Sequence, residues 1–214
     1  MKNRKLRILT YVLALAGVLL AAVLCPSLPE QIPTHWDMDG AVTYGSRYTI
    51  FITAGMGLLF AVMFDVLPKI DPRRQNYEKF GSFYDLFCVL MELFLLMING
   101  VMITEALRPG TVSVPMVIPL GVGVLFVIIG NFMPKFKSNF YMGIKTPWTL
   151  SSDEVWRKTH RLGGRCFFLS GLLFILCAFL PESVLPVCVI AVLIACFIPG
   201  LMSFIWWRQE QKKV

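Results

Sequence analysis

Charge is scarce in this chain, and histidine is scarcer. Asp, Glu, Lys and Arg make up 15% of the 214 residues, and only His35 and His160 are histidine. A soluble domain devotes about a quarter of its residues to charge, because a water-facing surface must be covered. The chain also lacks H-E-x-x-H, G-x-S-x-G and a phosphate-cradling glycine loop. Zincin, serine-hydrolase and P-loop chemistry therefore have no carrier here. Six cysteines are present (Cys25, Cys88, Cys166, Cys177, Cys188, Cys196), but none forms a C-x-x-C pair. That removes the usual thiolate metal frameworks. Cys177 and Cys188 flank the turn Leu180–Pro186 and could face each other, yet no spacing rule supports a disulfide. All six are expected as small apolar packing residues. No catalytic, cofactor or metal site is expected, and no enzymatic activity.

What the chain has instead is hydrocarbon. Apolar residues make up 57%, and mean hydropathy is +0.69. Six nearly uncharged runs of 16 to 25 residues cover Ile8–Cys25, Tyr48–Phe64, Leu86–Thr104, Val112–Met133, Cys166–Pro181 and Ser183–Trp207. A helix of about 20 apolar residues crosses a bilayer core. The fold class expected is all-α, a polytopic membrane protein with six spans. With six spans, the N-terminus, the second and fourth connections and the C-terminus share one side, and 18 of the 20 Lys and Arg fall there. Only Arg47 and Arg108 fall opposite. Such a bias sets orientation, so both termini are expected in the cytoplasm. The net charge of +7 is then an inside-positive bias, drawn to anionic headgroups, with no direct nucleic-acid partner implied. The basic start and first apolar run imitate a signal peptide. Leu24 before Cys25 is too bulky for a lipoprotein cleavage site, so an uncleaved first helix is expected.

Two connections are long. The outer one, 26–47, holds three prolines, the turn signal Asp39-Gly40, and the interfacial aromatics Trp36 and Tyr44. His35, Asp37 and Asp39 can be drawn as a metal site, but mixed ligands within five residues of a turn read better as a hydrogen-bonded lid. The inner one, 134–165, contains Ser151-Ser-Asp-Glu154, a capping box. It predicts a helix to about Leu162, stopped by Gly163-Gly164. Val155, Thr159 and Leu162 share one face, and Arg157, Arg161 and Arg165 another. That is an amphipathic helix expected to lie flat on the inner leaflet. Just upstream, Pro147 disfavours helix at Thr146 within Lys145-Thr-Pro-Trp148.

Inside the spans, Glu92 is the one ionisable residue near the middle of a run. An intramembrane carboxylate is costly and marks a functional hypothesis by default. It could bond to a helix carbonyl or to Asn99, or serve a proton or cation path. Asp65 and Asp85, nearer the span ends, can pair with inner basic residues. Pro199-Gly200 is expected to bend the last span. Gly57-Leu-Leu-Phe60 and Gly171-Leu-Leu-Phe174 form a faint repeat between the second and fifth spans. It suggests two three-span halves of inverted topology.

Three segments carry a resemblance. Gly130-Asn-Phe-Met-Pro-Lys135, Asn139-Phe-Tyr-Met-Gly-Ile-Lys-Thr-Pro-Trp-Thr-Leu150 and Ser151–Gly164 together resemble the SdpI family of bacterial immunity proteins. Leu28–Trp36, Asp39-Gly40 and Tyr44-Gly-Ser46 resemble the N-terminal domain of unknown function (DUF1648-like) that accompanies it. The resemblance implies a two-span segment, 1–82, followed by a four-span SdpI-like segment, 83–214. It implies a multi-pass protein of the bacterial cytoplasmic membrane that protects against a secreted, membrane-active peptide toxin. It also implies signalling, by holding a small cytoplasmic autorepressor at the membrane. Lys145, Thr146, Pro147, Trp148, Trp156, Arg157, Lys158, His160 and Arg161 would form the cytoplasmic platform for that partner. Pro33, His35 and Trp36 would belong to the outer loop. The alternative is a small proton- or ion-coupled transporter or flippase using Glu92.

Overall fold

The computed structural model describes residues 3–37 and 41–212. Its elements in order are α1 (Arg4–Leu24), β1 (Gln31–Trp36), β2 (Val42–Ser46), α2 (Ile50–Ile70), α3 (Tyr77–Leu107), α4 (Val114–Phe132), α5 (Pro147–Ser151), α6 (Asp153–Cys177) and α7 (Leu185–Gln211). Among the described residues, six helices are long and apolar enough to cross a membrane: all but α5. The molecule is an all-α polytopic membrane protein with one small two-stranded sheet.

The first two spans bury mostly small residues and expose most of their large ones. α1 turns Thr10, Ala14, Gly17 and Ala21 inward, and α2 turns Ala54, Gly57 and Ala61 inward. Leu19, Val23 and Leu59 face outward. Lipid is as apolar as leucine, so burying large side chains gains little, whereas small ones let backbones approach. The helices pack in two groups of three, α1–α2–α3 and α4–α6–α7, with fewer contacts between groups. The faint repeat falls on equivalent seams. A Cβ on Gly57 would lie 3.9 Å from Cα of Ala14 in α1, and one on Gly171 would lie 2.6 Å from the Gly123 carbonyl in α4.

Basic ends gather on one face. The Asn3 amide donates to Asp85 (2.6 Å), and Asp65 accepts from Arg7 and from Lys69 (3.0 Å). α3 has 31 residues, about 46 Å at the α-helical rise, so it outruns a hydrocarbon core of about 30 Å. Its first turns stand in the basic face, which leaves a connection of six residues after α2, 71–76.

Four expectations need correction. The outer connection, expected as a hydrogen-bonded lid without regular structure, has its backbone bonds in two strands: β1 and β2 form an antiparallel hairpin with a register shift between Pro33 and His35. A proline that cannot donate to the ladder is accommodated at such an irregularity. The Asp39-Gly40 turn signal lies outside the described residues. The inner-loop helix does not stop at Gly163-Gly164. α6 runs through both glycines, so the amphipathic segment is the basic-face extension of the fifth span, not a separate helix lying flat. Both glycines are buried, and a Cβ on Gly164 would stand 2.7 Å from the Gly130 carbonyl. The pair serves close helix packing, which outweighs the chain-terminating preference of glycine.

Third, the cap is one residue later than expected. The Ser152 hydroxyl accepts from the Val155 amide (3.2 Å), while Ser151 donates to the Trp148 carbonyl (3.0 Å) in the short helix α5. Ser152→Ala should therefore cost about 1 kcal/mol and Ser151→Ala close to nothing, measured as thermal unfolding in detergent. The reverse order would restore the sequence-based cap. Fourth, Cys177 and Cys188 are bonded, with Cα atoms 7.0 Å apart. The turn between α6 and α7 sets their ends side by side, a pairing that sequence spacing does not encode. Cys25, Cys88, Cys166 and Cys196 are free thiols. α7 continues through Pro199 as helix.

Candidate functional site

Two regions hold the polar chemistry, one at each end of the bundle, with Glu92 between them.

At the basic face the connection 71–76 and the inner loop fold into one knot. Asp71 is buried and accepts from the amides of Arg73 (2.7 Å) and Phe140 (2.9 Å). Asn139 is fully buried. Its Oδ1 accepts from the amides of Met142 (2.6 Å) and Tyr141 (3.0 Å), and its Nδ2 donates to the carbonyls of Lys137 (2.9 Å) and Met142 (3.0 Å). The Tyr77 hydroxyl sits between Asp71 Oδ2 (3.1 Å) and Asn139 Oδ1 (3.2 Å), and donates to one at a time. The Arg73 guanidinium donates to Ser138 and to the Leu150 carbonyl (2.8 Å). Gly143 has φ +107°, and a Cβ there would run into the His160 ring.

That ring is a clamp. The Ile144 amide donates to His160 Nε2 at 3.0 Å, so Nε2 carries no proton. Nδ1 must then donate to the Trp156 carbonyl, 2.9 Å away. The ring stacks on Trp156 at 4.0 Å, and Trp156 Nε1 donates to the Phe136 carbonyl (2.9 Å).

The nine platform residues therefore divide. Trp156 and His160 are buried and hold the loop together. Thr146 and Trp148 are half-buried against α7: the Thr146 and Ser203 hydroxyls lie 3.0 Å apart, and Trp148 packs on Phe204 at 4.9 Å. Lys145, Pro147, Arg157, Lys158 and Arg161 are exposed. Glu154 pairs with Arg157 and with Lys158 (3.3 Å), and Lys145 donates to the Tyr141 carbonyl (2.9 Å). Sequence reasoning missed Asp71, Tyr77 and Arg73 because they lie 60 or more residues from their partners in the loop.

At the opposite end the hairpin covers an apolar cleft of about 650 Å³ between the two helix groups. Thr34 and Trp36 line it from the hairpin, and Thr53, Met102, Pro119 and Phe174 line it from the helices. Of the outer-loop residues singled out from sequence, Pro33 is buried, Trp36 is half-buried against the cluster of Ile32, Ala54 and Met102, and His35 is exposed. His35 Nε2 lies 3.2 Å from Asp37 Oδ1. Among the described residues no three His, Cys, Asp or Glu side chains are placed to share a metal, and Asp39 lies outside them. The cleft itself was not legible: its walls come from α2, α3, α4, α6 and α7, and apolar wall residues look like any others in a span.

Glu92 is buried on α3. Its Oε2 fills the space that a Cβ on Gly57 would enter, at 3.1 Å, and its Oε1 meets no hydrogen-bond partner among the described residues. Asn99 is not its partner: that amide accepts from Thr53 (2.7 Å) and donates to the Leu95 carbonyl (3.2 Å).

Six spans, a hairpin over an apolar cleft and an inner loop knotted around Asn139 make this a multispan membrane protein. The SdpI/YfhL protein family matches residues 135–206, which contain the inner-loop side of the knot, and the domain of unknown function DUF1648 matches residues 12–58, which contain the hairpin. Over 207 residues the chain is 26% identical to the protein named Immunity protein SdpI of Bacillus subtilis (strain 168), covering 96% of this chain and 97% of that one. The resemblance read from the inner-loop and outer-loop motifs holds. No solved structure matches the chain.

Proposed function

We propose that this is an immunity protein of the bacterial cytoplasmic membrane, protecting its cell from a secreted, membrane-active peptide toxin. The likeness to an immunity protein along 96% of the chain carries this reading. The charge bias supports the orientation, with the basic face in the cytoplasm. In this reading segment 1–82 meets the toxin outside. Segment 83–214 presents Lys145, Arg157, Lys158 and Arg161 to a small cytoplasmic autorepressor, which it holds at the membrane while toxin is present.

A second reading, export of the toxin or of another solute, rests on the buried Glu92, whose Oε1 has no partner among the described residues. One experiment separates the two. Expression in a sensitive bacterium should raise survival against a membrane-active peptide, and Glu92→Gln should leave that protection within about twofold of wild type, because the amide keeps shape and needs no proton cycle. Loss of protection in a correctly inserted Glu92→Gln protein would favour proton-coupled export. No protection against any such peptide, with saturable solute uptake in liposomes, would overturn immunity altogether.

A further inference from the structure

The outer cleft and the charge around it say what kind of peptide would bind. Its volume of about 650 Å³ falls within the usual range of ligand pockets, and its walls are side chains of five spans. Beyond its apolar walls, the cleft is lined on the hairpin side by Thr34, His35 and Asp37, with Thr49 just before α2.

The outer segments differ in sign from the rest of the chain. Residues 26–47, 105–111 and 181–184 hold five carboxylates (Glu30, Asp37, Asp39, Glu105, Glu182) against two arginines, Arg47 and Arg108. The whole chain carries +7. Arg47 is turned back onto the Leu28 carbonyl (3.1 Å), and Glu105 caps a turn by accepting from the amides of Gly110 (2.9 Å) and Val112 (2.6 Å). Asp37 lines the cleft with its side chain 48% exposed, next to His35. A carboxylate beside a low-dielectric cleft attracts a cation whose apolar part the walls hold.

We propose that this cleft is a receptor for the apolar face of a cationic amphipathic peptide, with the peptide's basic residues on the Asp37 side. The proposal rests on the immunity reading and names the chemistry which that reading leaves open. An acyl chain would satisfy the walls, but the phosphate above it would meet the Asp37 carboxylate, so the charge favours the peptide over a phospholipid.

The test uses the full chain in phosphatidylcholine nanodiscs. The probe is a helical Leu–Lys peptide carrying a photoreactive leucine on its apolar face, with a Leu–Glu peptide of the same pattern as comparison. Cross-links should fall on Ile52, Val122 and Phe174, and the Leu–Lys peptide should bind about tenfold or more tightly than the Leu–Glu peptide. Val122→Trp, which fills the cleft, should weaken binding about tenfold or more, whereas Val124→Trp, exposed on the same helix, should not. Ile52→Trp is a second filling variant, at an exposed position on the cleft wall. Asp37→Lys should weaken binding at low salt and lose that effect at high salt, as a screened surface charge does. Cross-links spread over lipid-facing positions, equal binding of the two peptides, or filling variants that bind like wild type would overturn the proposal. So would a phospholipid retained in the cleft that the Leu–Lys peptide fails to displace. Cells protected by a protein that binds no Leu–Lys peptide would sink this inference and leave immunity standing. A peptide bound in the cleft without protection would do the opposite.

Discussion

Asn139→Ala is expected to unfold the inner loop while the spans remain inserted. The substitution strands the amides of Tyr141 and Met142 and the carbonyls of Lys137 and Met142 in a site where Asn139 itself is fully buried. A buried polar group left unpaired costs about 1–3 kcal/mol. Four such groups, partly rescued by entering water, put the loss at about 4 kcal/mol or more. Trp156 reports the event, since its ring stacks on His160 and both depend on the same loop. Its fluorescence should shift, and the loop 134–146 should become cleavable by protease in detergent. Asn139→Asp keeps the acceptor but sets a second acceptor oxygen against the carbonyls of Lys137 and Met142 and a buried charge near Asp71, so it should not recover wild-type stability. A loss below about 1 kcal/mol for Asn139→Ala would show that the knot does not hold the loop.

Gly130→Ala should disrupt the seam between α4 and α6. A Cβ at Gly130 would lie 2.7 Å from the Gly164 carbonyl and 2.9 Å from the Phe168 Cα, and would also strike the Phe168 amide. All three obstacles are backbone, so no rotamer change relieves them and the helices must move apart. Overpacking of this kind costs about 1–3 kcal/mol, and the missing give places this case at the upper end. Gly171 faces the same seam from the other helix, where an added methyl carbon would stand 2.6 Å from the Gly123 carbonyl. Gly100→Ala provides the contrast, because nothing lies within 4 Å of a Cβ there. Alanine is the better helix former by about 1 kcal/mol, so that protein should be as stable as wild type or slightly more so. The comparison is made by unfolding in detergent, monitored by loss of helical circular dichroism. Equal behaviour of Gly130→Ala and Gly100→Ala would refute close packing at the seam.

These two substitutions mark where sequence reasoning reached and where it stopped. Gly130 and Asn139 both stand inside motifs that carry the resemblance to the SdpI family, but the sequence marked out neither and did not show its task. The motif around Lys145–Arg161 read as a surface for a partner, yet Trp156 and His160 face inward and clamp Ile144 and Phe136. A helix wheel places them on one side of α6. It does not say whether that side meets water, lipid or a folded loop.

The sequence by itself determined the class of protein. Six apolar runs can only cross a bilayer as helices, because hydrocarbon offers backbone groups no partner outside their own helix. The distribution of Lys and Arg determined which connections share a side, because charge decides which loops stay on the basic face. Both properties are sums over many residues, and no single contact alters them. The tertiary structure decided the rest. It passed α6 straight through Gly163-Gly164, bonded Cys177 to Cys188, paired β1 with β2 in a hairpin and opened the cleft beneath it. Each of these depends on what a residue meets from a distant part of the chain. A glycine ends a helix when left to water and tightens one when another backbone presses against it. The glycine is the same in both, and only the packed neighbour decides between them.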